Sequence, residues 1–420
     1  MKKTFRFLSM AALALMGAVM TGCSSDDNID NAQPENKSKV VTLTAKVGFE
    51  ASAGTRALDA SGHKTFATGD KMAVIYKNTS GEFKRADGTL SSGAGTQSAT
   101  FDITLSDPDN TAPIRYIYPA AMAKEESELG ATITIADDAS TVDFTKLNTQ
   151  DGTLAKLGSD LDLCILDTPA GWSTTELPSG TLSNKLAILA INLKNGSDIT
   201  SSITGLTISD GTNNYAVSGI SSASTIYVAI RPTSDASLSV IATAGTNYYG
   251  KYLTSKTYAA NNGYNVTWNM TPLTKVTWDN TNVFVEANQK DELSSEPRAS
   301  SSLTYESITI SGVFSNDSYS YFVPYAIGTG DTFLNVTADE SCTESFTFTA
   351  SGSKNFYKIE ITGFPVNLND ANWSLQGPLL VEGSSFIWSK APSNTVTITA
   401  SPAYSSTDFD HVTSMVFLTD

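Results

Sequence analysis

The chain of 420 residues is 40% hydrophobic and 17% charged, with 43 acidic side chains against 27 basic ones. At about 100–200 residues per domain, this length excludes a single small module. A formal charge of −16 argues against a general binder of phosphate backbones, whose affinity is built on excess Lys and Arg.

Lys2, Lys3 and Arg6 precede an apolar run from Phe7 to Met20, shorter than the ~20 residues of a membrane-spanning helix but suited to the hydrophobic region of an export signal. The run ends in Met20-Thr21-Gly22-Cys23, which resembles the lipobox of bacterial lipoproteins, with Met20 where Leu is more usual. That resemblance implies cleavage after residue 22, acylation of Cys23 and attachment to a membrane through its lipid. Residues 24–39 (SSDDNIDNAQPENKSK) have no aromatic and almost no aliphatic side chain, so burial cannot offset the entropy of ordering them; residues 23–39 are predicted to be a disordered tether.

From Val40 the texture changes. Thr, Ser, Asn, Gly and Val predominate over Lys, Glu and Leu, the composition of short strands joined by turns, and the chain is predicted to be all-β. Apolar runs bounded by turn signals recur at 41–49, 71–76, 99–105 and 114–118, then at 186–193, 226–230 and 238–242, with almost no helical periodicity. Turn-rich stretches at 172–180 (WSTTELPSG) and 269–274 (NMTPLT) divide them. The predicted units are therefore 40–175, 176–272 and an additional C-terminal β-sandwich, Ig-like, at 273–420.

The combination of Thr55-Arg56-Ala57, Phe66-Ala-Thr-Gly-Asp-Lys-Met-Ala-Val-Ile-Tyr76, Tyr116-Ile-Tyr-Pro119 and Ser183-Asn-Lys185 resembles the fimbrillin-like lipoprotein precursors of type V fimbriae in Bacteroidota. The similarity runs from the signal to about residue 272. It implies two transthyretin-like β-sandwiches, surface export, and cutting by an arginine-specific protease in the loop after the first strand. Loss of that strand opens a groove that a strand of the next subunit fills. The residues suit this scheme: 40–49 alternates as a strand, and Ala51-Ser-Ala-Gly-Thr-Arg56 is a small, Gly-containing segment suited to cleavage between Arg56 and Ala57. The 273–420 region departs from the family pattern. In stalk subunits the C-terminal strands act as donor, so the extra domain points to a tip or accessory subunit that accepts a strand and presents its extra domain outward. The alternative is a non-polymerising surface lipoprotein that binds a glycan or a host protein.

No enzyme chemistry is visible, and no cofactor is implied. The two histidines, His63 and His411, have no Ser nucleophile elbow beside them, and no H-E-x-x-H, paired cysteine ligand set or Gly-rich phosphate loop occurs. Asp107-Pro-Asp109-Asn110 lacks the downstream Gly and Glu of a calcium loop and reads as a turn, so no metal is predicted. With Cys23 lipidated, Cys164 and Cys342 read as two buried free thiols rather than a disulfide. Trp373 and Trp388 are the candidate ligand-contact aromatics of the third unit, with core packing as the competing reading for each. The partners expected are other fimbrial subunits through strand exchange, the membrane, and a host protein or glycan receptor; nucleic acid is not expected.

Overall fold

A computed structural model describes residues 39–50, 65–220, 222–279, 300–314, 321–327, 331–337, 344–362, 379–382, 385–400, 410–412 and 414–420. They form an all-β assembly of several sheets, as the composition predicts.

The first region is a closed barrel of seven strands: β1 (Val40–Phe49), β2 (Lys71–Lys77), β3 (Phe83–Ser92), β4 (Ser98–Ser106), β5 (Arg115–Tyr118), β6 (Cys164–Asp167) and β7 (Gly180–Asn184). Their order is β1-β4-β3-β2-β5-β6-β7, and the ring closes where β7 runs parallel to β1. Alternation decides which side chains enter: on β1, Leu43, Ala45 and Val47 point inward while their neighbours face out. They meet Met72, Val74, Phe101, Ile103 and Tyr116 in one buried cluster. Strand β2 does not alternate. Met72, Val74 and Tyr76 fill the barrel, whereas Ala73 and Ile75 join a second core on its outer side, so both faces are buried and the run is continuously apolar. Short helical turns between residues 120 and 161, where the sequence shows no helical period, cover that outer side with Met122, Leu147, Leu157 and Leu161.

Eight strands follow: β8 (Ala187–Asn195), β9 (Ser197–Asp198), β10 (Gly205–Ser209), β11 (Asn214–Ser218), β12 (Ile226–Ile230), β13 (Thr233–Ala244), β14 (Asn247–Tyr258) and β15 (Asn262–Asn269). Strands β12, β8 and β15 form one small sheet, with β9 attached to β8, and β10, β11, β13 and β14 belong to another. Leu189, Ile191, Leu206, Ile208, Val228 and Val240 pack between them.

The last region contains β16 (Thr271–Asp279), β17 (Ser300–Tyr305), β18 (Ile308–Phe314), β19 (Tyr321–Ile327), β20 (Asp331–Thr337), β21 (Glu344–Ala350), β22 (Phe356–Thr362), β23 (Leu379–Glu382), β24 (Ser385–Trp388), β25 (Thr395–Ala400), β26 (Asp410–Val412) and β27 (Ser414–Thr419). Strands β17-β18-β21-β25 make a four-stranded sheet and β19-β20-β26 a three-stranded one. His411 lies in β26, in register with Asn335. The remaining strands extend the sheet of the middle region into one of nine, ordered β11-β10-β13-β14-β16-β27-β22-β24-β23. Phe417 is the hub of the core beneath it, with ring centroids 5.5 Å from Trp278 and 5.9 Å from both Phe348 and Phe356.

Two placements bear on the division read from sequence. Strand β7 follows the turn-rich stretch at 172–180, yet it closes the barrel that precedes that stretch. Strand β16 begins at the second stretch and pairs with β14 on one side and β27 on the other, so one sheet runs through residue 272 without a break.

Candidate functional site

The seam of the barrel is built around β1. One edge of β1 pairs antiparallel with β4, from Val40 opposite Ser106 to Gly48 opposite Ser98, and the other edge pairs parallel with β7 from Val47 opposite Gly180 to Phe49 opposite Leu182. The segment before β7 reinforces the second edge, where the Leu177 amide donates to the Thr44 carbonyl at 3.0 Å and Lys46 pairs with Glu176 at 3.4 Å. At its end, the Phe49 ring stacks on Phe66 with centroids 4.1 Å apart and meets Tyr118 edge-on at 5.4 Å. Burying Leu43 and Val47 contributes about 1.5–3 kcal/mol each.

Three of the motifs that carry the resemblance, at 66–76, 116–119 and 183–185, meet beside this seam. Gly69 at φ 92° turns the chain into β2, a left-handed conformation that side chains other than Gly rarely adopt. Asp70 then accepts a hydrogen bond from the Ala67 amide at 2.8 Å and another from the Tyr118 hydroxyl, which joins the Gly-Asp-Lys turn to the Tyr-Ile-Tyr strand. Tyr116 donates to the Pro178 carbonyl at 2.9 Å. Asn184, 6% exposed, donates to Asp162 Oδ1 at 2.5 Å and to Cys164 Sγ at 3.3 Å and accepts from the Leu186 amide at 2.9 Å, fixing the passage from β7 to β8. Cys164 itself is buried, and Cys342 lies outside the described residues. Asp109 accepts from the Thr111 amide and hydroxyl at 2.9 and 2.6 Å within a turn over 109–112 that the Ala112 amide closes on the Asp109 carbonyl at 3.2 Å, while Pro108 bridges Asn78; the hydroxyl bond leads in holding the Asp109 carboxyl below its usual range.

Burial raises the phenols of Tyr116, Tyr118 and Tyr215 above their ordinary value of 10.0, and at Tyr118 the Asp70 carboxylate adds to it. The folded chain therefore holds these protons more tightly than the unfolded one. Their stability contribution is full below pH 10 and falls as pH rises above it, by up to about 1.4 kcal/mol per pH unit for each phenol. Urea midpoints measured from pH 8 to pH 11 are expected to stay level up to about pH 10 and then drop; a Tyr118→Phe variant is expected to show a shallower drop.

Of the residues singled out from sequence, Cys23, Arg56, Ala57, His63 and Trp373 lie outside the described residues. Trp388 lies on β24, in register with Ile359 of β22 and Leu379 of β23, and is 8% exposed, while Trp278 is fully buried. The strand nearest the end of the sequence, β27, is central to the nine-stranded sheet. It pairs along its length with β16 and with β22, and Met415, Phe417 and Leu418 are buried. Sequence reading missed this placement because it depends on pairing between residues about 140 positions apart.

The fold and the seam together define an all-β protein of several sheets whose first strand closes a barrel and whose last strand is built into a sheet. No protein-family model matches the chain, and no curated protein matches it. Among solved structures it is similar to a fimbrial assembly protein from Parabacteroides distasonis, with 12% identity over 55% of this chain and 90% of that one and a TM-score of 0.30. It is also similar to the tip fimbrial protein Mfa3 from Porphyromonas gingivalis with C-terminal truncation, at 12% identity over 55% of this chain and 94% of that one, with a TM-score of 0.28.

Proposed function

We propose that the chain is a tip or accessory subunit of a surface fimbrium that acts in cell adhesion. In this reading it is exported as a lipoprotein precursor held to the outer membrane through Cys23, cut between Arg56 and Ala57, and joined to the next subunit by donor-strand exchange. The observation that carries the reading is the asymmetry between the two ends of the fold. Strand β1 is a seam piece that leads directly into the segment containing Arg56, and its loss would leave the facing edges of β4 and β7 unpaired, a site for an incoming strand. Strand β27 is paired on both edges and Met415, Phe417 and Leu418 are buried, so it cannot be donated without breaking the sheet. In this reading, a subunit that accepts a strand at its barrel and keeps β27 within its sheet belongs at a filament end. The test is immunogold labelling of intact cells with an antibody to the 273–420 region. Gold at filament ends is the expected result, whereas gold along shafts, or on the membrane without filaments, would refute the assignment.

A further inference from the structure

The nine-stranded sheet rolls up on its outer face. Strands β13 and β24 are separated by four strands in the sheet order, yet Ser389, one residue past β24, donates from Oγ to Ser239 Oγ of β13 at 2.5 Å. Between these two margins lies a groove of about 460 Å³, within the roughly 300–1,000 Å³ span of small-ligand sites. Alternation sets its chemistry. Leu206, Ile208, Val240, Val276 and Phe417 turn toward the cores, and the residues between them turn into the groove. The lining is therefore rich in hydroxyls, among them Thr207, Ser209, Ser239, Thr243 and Ser389, with the Tyr248 ring at one wall.

Its charged groups are Lys275, Lys358 and Glu360. Lys358 and Glu360 neutralise each other at 2.8 Å. Lys275 is exposed, its Nζ sits 5.7 Å from the Tyr248 ring centroid, and none of the ion pairs among the described residues involves it. The groove thus carries an excess positive charge on a chain whose formal charge is −16. A low-dielectric cleft concentrates the field of such a charge and favours an anion there.

We infer that this groove binds a saccharide bearing a carboxylate, either a uronic or a sialic acid. The sugar hydroxyls exchange hydrogen bonds with the Ser and Thr side chains, which both donate and accept. A pyranose face lies against Tyr248, and the carboxylate pairs with Lys275. A peptide strand is the poorer occupant, because every strand lining the groove except β11 is flanked on both sides in the sheet and offers no free edge to extend. The inference is independent of the strand-exchange reading, since no lining residue belongs to the barrel.

The test is calorimetric titration of the full chain with 3′-sialyllactose and lactose in one arm and trigalacturonate and galactotriose in the other. At least one acidic sugar is expected to bind at least tenfold tighter than its neutral counterpart, and the arm in which this occurs identifies the source. Lys275→Gln is expected to remove that preference with an unchanged melting temperature, as Lys275 is exposed, and Lys358→Gln to weaken binding less. Absence of binding in both arms, equal binding of acidic and neutral sugars, or an unaltered preference in Lys275→Gln overturns the inference. Should Lys275→Gln melt lower, salt decides on the parent chain: a preference for the acidic sugar that is stronger at 20 mM than at 150 mM salt supports a charge contact in the groove, and a preference insensitive to salt refutes it.

Discussion

Brief treatment of the full chain with an arginine-specific protease is expected to yield a product that begins at Ala57, and stripping the freed β1 peptide with mild urea is expected to lower the melting temperature by about 10–20 °C. The magnitude follows from what β1 supplies. Leu43 and Val47 together contribute about 3–6 kcal/mol of burial. Backbone bonds along β4 and the shorter run on β7 are lost as well, leaving unpaired groups at two edges. For a region of this size, each kcal/mol corresponds to about 2–4 °C. A synthetic peptide with the sequence of residues 40–49 is expected to restore the melting temperature, because it satisfies the same register with Leu43, Ala45 and Val47 pointing inward. Arg56→Gln removes the product beginning at Ala57 without affecting cutting elsewhere. Arg115 is screened from competing cleavage by its burial, and Arg85 nearly so. A first cut at another arginine, or a stripped product that melts with the intact chain, would show that β1 is not a detachable seam.

The part of the structure that sequence made legible is the part governed by local alternation. Strand β1 reads correctly from Leu43, Ala45 and Val47 alone, and the Gly69-Asp70 turn reads as a turn because its geometry needs Gly. What stayed hidden depends on distant pairing. The run 71–76 shows its strand character but not that both faces are covered, since the cover on one side is supplied by the excursion at 120–161. The groove is hidden for the same reason: Lys275 and Lys358 come together only because β27 lies between β16 and β22, with Leu418 in register with both lysines. Trp388 sits in the run Ser385-Phe-Ile-Trp388, where consecutive apolar residues give no indication of which face is buried. Only the paired strands show that Ile387 and Ser389 line the groove while Trp388 is buried.

Arg115 is the largest departure from local reading, and its replacement by Met is expected to cost about 1.5–3 kcal/mol of unfolding free energy, from lost charge-assisted bonds and the buried acceptors they leave unmatched. On β5 it alternates with Tyr116 and Tyr118 and so points out of the barrel, where an arginine would ordinarily meet water. Instead it is 1% exposed, covered by the 120–161 excursion. Its guanidinium has five N–H donors, and it makes four hydrogen bonds and an ion pair with Asp138. Nε and Nη2 reach the two oxygens of Asp167 at 2.6 and 3.0 Å, Nη1 reaches Thr141 Oγ1 at 2.7 Å and Asp138 Oδ1 at 3.0 Å, and Nη2 also reaches the Ala136 carbonyl at 2.6 Å. One side chain thus ties the excursion to the barrel wall and to β6. Arg115→Lys keeps the charge but lacks the fork, so it recovers at most about half of the loss. The double variant Arg115→Met/Asp167→Leu separates two contributions. If the cost of Arg115→Met lies mainly in leaving Asp167 without its partner, the double variant regains at most about 1 kcal/mol, because the Asp167 carboxylate is itself 43% exposed. If it lies in losing the bonds to Ala136, Thr141 and Asp138, the double variant stays as unstable as the single one, and protease sensitivity of the 120–161 segment rises in both. Urea unfolding of the four proteins distinguishes these outcomes, and a single Met variant within 1 kcal/mol of the parent would show that the network does not hold the excursion in place.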